Sequence, residues 1–143
     1  MKISSIVASK SGSVITIRTE ETVRQAVRLF ADHDIGALVV VDAAKRPVGI
    51  ITERGILREA VTNDLVFSRT VGVVMTGDVI VGHPEDDLIA VAHTMTEKRI
   101  RHLPIVDAGR LVGMVSMGDV LKAQRDQYRG QVDTLETRLS AIV

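Results

Sequence analysis

Two stretches of this chain follow one pattern, and this duplication constrains the fold more than any other feature of the sequence. Residues 35–61 read IGALVVVDAAKRPVGIITERGILREAV, and residues 100–124 read IRHLPIVDAGRLVGMVSMGDVLKAQ. Val41-Asp42 in the first stretch recurs 65 positions later as Val106-Asp107. A period of this length indicates a duplicated supersecondary unit. Because one unit is too small to bury a core well, we expect the two copies to pack on each other, with any ligand in the cleft between them.

Hydropathy patterns run through both copies in the order strand, helix, strand, strand, helix. In the first copy they predict a strand over 14–17, a helix capped by Thr19 and ended by Gly36, strands over 37–41 and 48–51, and a helix over 54–61. In the second copy they predict a strand over 79–81, a helix opened by Pro84, strands over 103–106 and 111–115, and a helix opened by Asp119. The sequence therefore predicts an α/β fold of two layered β-α-β-β-α repeats, related by a pseudo-twofold axis.

This pattern divides the chain into three parts. Residues 1–67 form the predicted first repeat, residues 68–125 the second, and residues 126–143 a C-terminal helical extension. The last helix carries residues at steps of three and four, close to a heptad seam: Leu121, Gln124, Tyr128, Val132, Leu135, Leu139 and Ile142. One chain covers such a stripe poorly, so we expect a homodimer or a larger assembly. The alternative is a helix docked on its own chain.

Charge and composition exclude several classes of function. Lys and Arg together number 18, as do Asp and Glu, so the formal net charge is zero and no global basic field attracts nucleic acid. Aromatic residues make up 2% of the chain, too few for the stacking surfaces of single-stranded nucleic-acid binders. The chain has no cysteine, which rules out disulfides and thiolate metal sites. We find no apolar run long enough to cross a membrane and no signal sequence, and therefore expect a cytoplasmic protein without membrane contact.

The segment GMVSMGD, residues 113–119, has the form G-x-x-S-x-x-D and carries the most informative motif. Ser116 ends a predicted strand, and Asp119 follows three residues later at the start of a helix. A carboxylate here suits a vicinal diol, and a hydroxyl at a helix N-terminus suits a phosphate group. The alternative is structural, because Ser and Asp in front of a helix commonly cap it.

Six short segments, in order, resemble the tandem cystathionine-β-synthase-type (CBS) domain pair over residues 5–125. These segments are IVASKSG, DIGALVVVD, GIITERGILR, MTGDVIV, RHLPIVD and GMVSMGDVLK. The resemblance implies two clefts related by a pseudo-twofold axis, and adenosyl ligands such as AMP, ADP, ATP, NAD or S-adenosylmethionine. It also implies that the Asp of a T/S-x-x-D motif binds the ribose, while the Ser or Thr approaches the ribose or the phosphate.

The resemblance assigns to the first cleft Lys10, Gly12, Ser13, Ile35, Gly36, Ala37, Arg101, His102, Ser116 and Asp119. Residues 35–37 would flank the adenine and read its edge with their backbone groups. The basic pair Arg101-His102 would lie near the phosphates. Without the resemblance, this pair is equally well explained as a solvated turn in front of a strand.

The resemblance assigns to the second cleft Thr52, Gly55, Met75, Thr76, Gly77, Asp78 and Ile100. This cleft departs from the family pattern in two ways. Gly55 stands where the family usually has the ribose-binding Asp, and Gly36-Ala37 takes the place of the basic pair. A lost charge-assisted hydrogen bond costs about 1.5–3 kcal/mol, roughly 10- to 100-fold in affinity. We therefore expect one good site and one poor or empty site.

Patterns for catalysis and metal binding are missing from the sequence. It has no G-x-x-x-x-G-K-[ST] loop, and its four histidines lack H-x-x-x-H spacing. We therefore expect no enzymatic activity, no metal and no required cofactor. We expect an adenine nucleotide as regulatory ligand, acting on an unknown protein partner or on the protein's own oligomer. The alternative is a non-binding interaction module or stress-associated scaffold whose clefts are relics.

Overall fold

Two small sheets form the centre of the fold in the computed structural model, which describes residues 1–10 and 14–142, and side chains as far as residue 132. The first sheet has the order β1 (Thr16–Arg18), β2 (Ala37–Val41), β3 (Pro47–Thr52). Strand β2 pairs in parallel with β1 and antiparallel with β3. The second sheet is the antiparallel pair β4 (His102–Asp107) and β5 (Arg110–Ser116).

Helices flank these sheets. Within the described residues they are α1 (Ile3–Ser9), α2 (Val23–His33), α3 (Glu53–Ala60), α4 (Val71–Val74), α5 (Leu88–Glu97), α6 (Met117–Ile142) and a 3₁₀ turn, Val66–Ser68. The predicted mixed α/β fold class is confirmed.

Capping hydrogen bonds place three helix starts away from the predicted positions. Thr22, and not Thr19, caps α2, because its side chain and that of Gln25 each accept a hydrogen bond from the other's backbone N–H. Asp87, and not Pro84, caps α5 by accepting a hydrogen bond from the Ile89 N–H at 3.0 Å. Helix α6 begins at Met117, two residues before the predicted start.

The predicted strand over 79–81 is absent. Of this part of the second copy only Gly82 pairs, through a parallel bridge to Ile105 that repeats the pairing of Ile17 with Val40 in the first copy. A Cβ at Gly82 would lie 2.8 Å from Leu103 Cδ2, so any larger residue here would force the Leu103 side chain to move. The second copy therefore retains one bridge where the first copy has a strand.

The helix that precedes each copy packs on the other copy. Ile3 and Ile6 of α1 are buried in the second hydrophobic cluster, around Leu88 of α5. Val71 of α4, which precedes the second copy, is buried in the first cluster. Equivalent hydrogen bonds anchor the two helices: the Ile3 N–H donates to the Asp86 carbonyl at 2.9 Å, and the Val71 N–H to the Glu21 carbonyl at 2.7 Å. Helix α1 is not predicted from the sequence, and it brings the N-terminal segment to the second repeat.

Two equivalent glycines give these crossing segments room. A Cβ at Gly113 in β5 would lie 2.9 Å from Val7 Cγ1 of α1. A Cβ at Gly49 in β3 would lie 2.9 Å from the carbonyl oxygen of Thr76, just after α4. Each segment thus runs close to the strand that leads into a T/S-x-x motif, and so reaches the rim of a cleft.

Candidate ligand-binding clefts

A cavity of about 620 Å³ lies between the two copies, beside the N-terminus of α6. Six predicted first-cleft residues line it, namely Lys10, Ile35, Gly36, Ala37, His102 and Ser116. Apolar side chains complete the wall, among them Val14, Ile15 and Val112. Asp119 and Arg101 do not line this cavity, and Gly12 and Ser13 lie outside the described residues.

Ser116 and Asp119 cap α6 reciprocally. The Asp119 N–H donates to Ser116 Oγ at 3.0 Å, and the Ser116 N–H donates to Asp119 Oδ2 at 2.8 Å. The structural explanation of the S-x-x-D motif, that it caps a helix, is therefore confirmed. The hydroxyl also lines the cavity, and the carboxylate adjoins it through the Ser116 backbone. The same two groups thus cap a helix and lie at the edge of a cleft.

Lys10 joins this pair from the N-terminal segment. Its Nζ donates to Asp119 Oδ2 and to the Met114 carbonyl, both at 2.8 Å. Burial acts to raise the pKa of Asp119. The hydrogen bonds from Lys10 and Ser116 and the charge of Lys10 outweigh burial, so the pKa lies below its ordinary value. Asp119 is therefore a carboxylate at neutral pH, with an ammonium group beside it.

His102 is the first residue of β4 and lies near the same group of charges. Burial is the main cause that lowers its pKa, the positive charges of Lys10 and Arg101 lower it further, and Asp119 opposes them. The imidazole is therefore neutral at pH 7, and it can donate or accept one hydrogen bond at the cavity wall.

A second cavity, of about 370 Å³, lies at the start of α3. Thr52, Thr76, Asp78 and Ile100 line it as predicted, whereas Gly55, Met75 and Gly77 do not. Thr52 Oγ1 accepts a hydrogen bond from the Gly55 N–H at 2.9 Å, which repeats the geometry of Ser116 and Asp119. The missing side chain at Gly55 leaves this cavity without the equivalent carboxylate.

Arg101 lines the second cavity, although the resemblance assigns it to the first. Successive residues entering a strand point to opposite sides, so Arg101 and His102 are directed differently. Arg54 and Glu53 also line this cavity. Gly36-Ala37 thus takes the place of the basic pair in the first copy, yet two cationic side chains, Arg54 and Arg101, line the second cavity.

The wall between the two cavities is shared. Gly36 and His102 contribute to the lining of both. The Glu53 N–H donates to the Gly36 carbonyl at 3.0 Å, and a Cβ at Gly36 would lie 3.4 Å from the Glu53 carboxylate. A ligand in either cleft would therefore contact residues that also border the other.

The family model described as "CBS domain" matches residues 3–62 and 71–126, which is most of the chain and both copies. The chain belongs to the CBS-domain family. It is 36% identical over 132 residues to the CBS domain-containing protein CBSX3, mitochondrial, of Arabidopsis thaliana, covering 89% of this chain and 64% of that protein. It is 31% identical to the CBS domain-containing protein YhcV of Bacillus subtilis, covering 82% of this chain and 83% of the relative.

Solved CBS proteins share the fold. The CBS-domain containing protein ATU1752 of Agrobacterium tumefaciens superposes with a TM-score of 0.82 at 30% identity, covering 87% of this chain and 99% of that one. The CBS domain pair of protein MJ0100 superposes with a TM-score of 0.77 at 26% identity, covering 89% and 98%. The latter was solved in complex with 5′-methylthioadenosine and S-adenosyl-L-methionine.

Several cleft residues of this CBS pair carry no motif that identifies them in the sequence. Val79 and Ile80 line the second cavity instead of forming a strand. Glu53 and Arg54 directly follow Thr52 in the first turn of α3, and their position beside the T-x-x motif is the signal that could have identified them. Among the described residues, no group of three or more His, Asp or Glu side chains could hold a metal ion. In the same part of the chain, no helix is long and apolar enough to span a bilayer.

Proposed function

We propose that this CBS pair is a regulatory module that binds an adenine nucleotide (AMP, ADP, ATP or NAD) in the first cleft. One observation carries the proposal. A carboxylate, an ammonium group and a helix N-terminus meet through contacts of 2.8–3.0 Å at the edge of a 620 Å³ cavity. These three groups match a ribose diol and a phosphate on one ligand.

Each part of such a ligand has a suitable partner in the first cleft. The Asp119 carboxylate would accept hydrogen bonds from the two ribose hydroxyls. Its contacts with Lys10 and the Ser116 N–H both use Oδ2, which leaves Oδ1 to accept from the ligand. The N-terminus of α6 and Lys10 would neutralise a phosphate. The apolar side chains of Ile35 and Val14 would enclose the base, next to the Gly36 backbone.

Such a ligand would contact both copies at once, because Ile35 to Ala37 belong to the first and Ser116 to the second. Ligand binding would then favour one relative orientation of the copies, and this change is the proposed signal. The bound adenosyl compounds in the MJ0100 CBS pair support this class of ligand. We propose no catalytic step. The match to an inosine-5′-monophosphate dehydrogenase of Methanocaldococcus jannaschii covers only 22% of that enzyme.

A second candidate function is a non-binding interaction module. The observation that favours it is that Ser116 and Asp119 already satisfy each other and Lys10, so the motif is explained without a ligand. In that case the clefts would be relics, and no adenine compound would stabilise the protein.

Calorimetry with AMP, ADP, ATP and NAD on wild type and on Asp119→Asn distinguishes the two functions. The Asn side chain still has an oxygen that can accept from the Ser116 N–H, so the cap is retained while the charge is lost. We expect a loss of about 10- to 100-fold in affinity. Asp87→Asn is the matched control, because Asp87 caps α5 and lines neither cavity. Undetectable binding of all four ligands to the wild type would favour the scaffold.

We also propose that the protein is a homodimer or larger, held partly by α6. Val120 of this helix is buried, whereas Leu121 is 58% and Tyr128 68% exposed. Val132 is partly buried, and the seam positions Leu135, Leu139 and Ile142 lie beyond the described side chains. Truncation after Arg125 should lower the mass measured by light scattering. A monomeric full-length chain at tens of micromolar would contradict the proposal.

A further inference from the structure

A third cavity, of about 690 Å³, lies outside both clefts, between β1, the turn that joins β2 to β3, and the start of β5. Its lining includes three cationic side chains, Arg18, Lys45 and Arg110, and no carboxylate. The remaining lining is apolar or small, with Thr16 as the other polar side chain. We call this cavity the basic groove.

Arg18 in β1 has a buried donor without an acceptor. Its Nε is inaccessible to solvent and is the only such atom without a hydrogen bond among the described side chains. One terminal nitrogen of the same guanidinium contacts Glu20 Oε1 at 3.1 Å, so the side chain is anchored while the Nε lacks a partner. Buried donors are normally satisfied, and an exception calls for an explanation such as a bound water or ion.

Lys45 is held at the rim of the basic groove by a rigid turn. Its φ is 63°, a left-handed conformation that is uncommon for a residue with a side chain. Asp42 fixes the turn, because its Oδ1 accepts from the N–H groups of Ala44 and Arg46, both at 2.9 Å. The Asp42 carboxylate also pairs with the Arg46 side chain. The turn's own acid is thus neutralised, and Lys45 has no ion-pair partner among the described residues.

Arg110 is presented from the opposite side by the equivalent hairpin. Ala108 and Gly109 both have positive φ, 51° and 78°, which makes a tight turn directly before Arg110. Its cross-strand neighbour Asp107 does not line the groove, and within the described part of the chain the two side chains form no ion pair. Among the described residues, each copy therefore places one cation without an ion pair at this groove, Lys45 and Arg110, beside Arg18 of β1.

We propose that the basic groove is an anion-binding site that takes phosphoryl groups. Arg presents a planar fork of donors, and Lys a compact charge, which together suit the oxygens of a phosphate or diphosphate. Val14 and Val112 line both this groove and the first cleft, so the two cavities adjoin. The phosphoryl group can belong to a separate small anion or to a long ligand that extends from the first cleft.

The direct test is a titration with inorganic pyrophosphate at constant ionic strength, followed by backbone amide shifts. We expect shifts at residues 16–18, 43–45 and 110–112 in the wild type. The variant Lys45→Met/Arg110→Met should bind pyrophosphate at least about 10-fold more weakly, because it loses two charged donors. Arg28→Met/Lys122→Met is the matched control, since it removes the same charge from exposed positions on α2 and α6. Its affinity should stay within about 2-fold of the wild type.

Titrations with AMP, ATP and NAD separate the two sources of the anion. If the groove takes part of a long ligand, Lys45→Met/Arg110→Met weakens ATP or NAD and leaves AMP unchanged. If it takes a separate anion, the variant loses pyrophosphate binding and keeps all three nucleotides. Both results support the site. The long-ligand result rests on the proposed function, whereas the pyrophosphate result is independent of whether the first cleft binds AMP. Absence of amide shifts in the groove, or equal losses in the variant and the control, overturns the proposal.

Discussion

The two clefts of this CBS pair share a local frame and differ in the chemistry placed on it. In each cleft, a strand ends at a residue whose hydroxyl accepts a hydrogen bond from the backbone N–H three positions later. The distance is 2.9 Å for Thr52 and 3.0 Å for Ser116. The third residue is Gly55 in one cleft and Asp119 in the other. Duplication therefore preserved the backbone hydrogen bonds, while the side chain that suits a ribose is present once.

The difference extends to the charges around each frame. The first cleft combines one carboxylate with Lys10, which comes from the crossing N-terminal segment. The second cavity is lined by two cations, Arg54 and Arg101, and two acids, Glu53 and Asp78. The second cleft is therefore charged but lacks a carboxylate at the helix cap. A site's chemistry here depends on single side chains delivered by neighbouring segments, more than on the repeat itself.

Lys10→Met should give the largest change, and it tests whether the charge pair defines the first cleft. Loss of the ammonium leaves Asp119 as an unneutralised carboxylate beside an anionic ligand. We expect AMP to bind about 10- to 100-fold more weakly. Uncharged 5′-methylthioadenosine should change by less than about 3-fold, because it brings no charge. Calorimetry with both ligands measures the ratio.

The control for that variant is Lys2→Met, which removes an exposed lysine paired with Glu85 outside both cavities. Equal losses for AMP and 5′-methylthioadenosine would mean that Lys10 supports the shape of the cleft and does not select for charge.

Gly55→Asp should reduce the difference between the clefts by supplying the missing carboxylate. Gly55 does not have the left-handed conformation that would forbid a side chain, and its Cβ would lie 3.2 Å from Thr52 Oγ1, which needs a small adjustment. We expect the second binding event to become about 10-fold tighter. Gly77→Asp is the control, since it adds a carboxylate in open space outside the lining. If the Gly55→Asp protein folds but shows no tighter second binding event, the proposal that the two clefts bind a ligand in the same way is refuted.

His102 borders both clefts, and its protonation should make the folded protein less stable in acid. This is the smallest of the expected effects. Its pKa is lowered from 6.5, mainly by burial, with Lys10 and Arg101 adding to this and Asp119 opposing it. The unfolded chain therefore takes up this proton first as the pH falls. Stability should decline below pH 6.5 and level off below the lowered pKa of the folded state. His102→Gln should lose less melting temperature between pH 8 and pH 5 than the wild type, and the exposed variant His93→Gln should follow the wild type. An identical acid profile for His102→Gln would contradict the burial argument.

The sequence predicted those parts of the fold that depend on local patterns. The uninterrupted apolar run of β2 indicated burial on both faces, and all five of its residues are buried. The S-x-x-D junction indicated a helix cap beside a cleft, and both the cap and the cavity are present.

Other parts depend on packing between distant segments and could not be predicted. Helix α1 has seven residues with two buried isoleucines, too few for a helical periodicity, and it is fixed by the second repeat. Residues 79–81 have strand-like composition, but they pair with no strand of the described chain, and Val79 and Ile80 line the second cavity. The side of the sheet on which Arg101 lies depends on the residue at which β4 begins. A shift of that start by one residue would move the side chain to the opposite side. The ligand-binding roles of the cleft residues stay predictions.

The exchange of α1 and α4 makes each repeat depend on the other. A break in the chain at residues 62–65 would give one piece that keeps α1 and lacks α4, and another with the opposite loss. Each piece would then expose the apolar surface that the departed helix covers, around Leu88 in one case and around Val23 in the other. The pieces should restore both cores only by reassociating. A pulling force applied at Met1 would likewise act first on the second core, because α1 is buried there. The first repeat, which follows α1 in the sequence, would feel the force later.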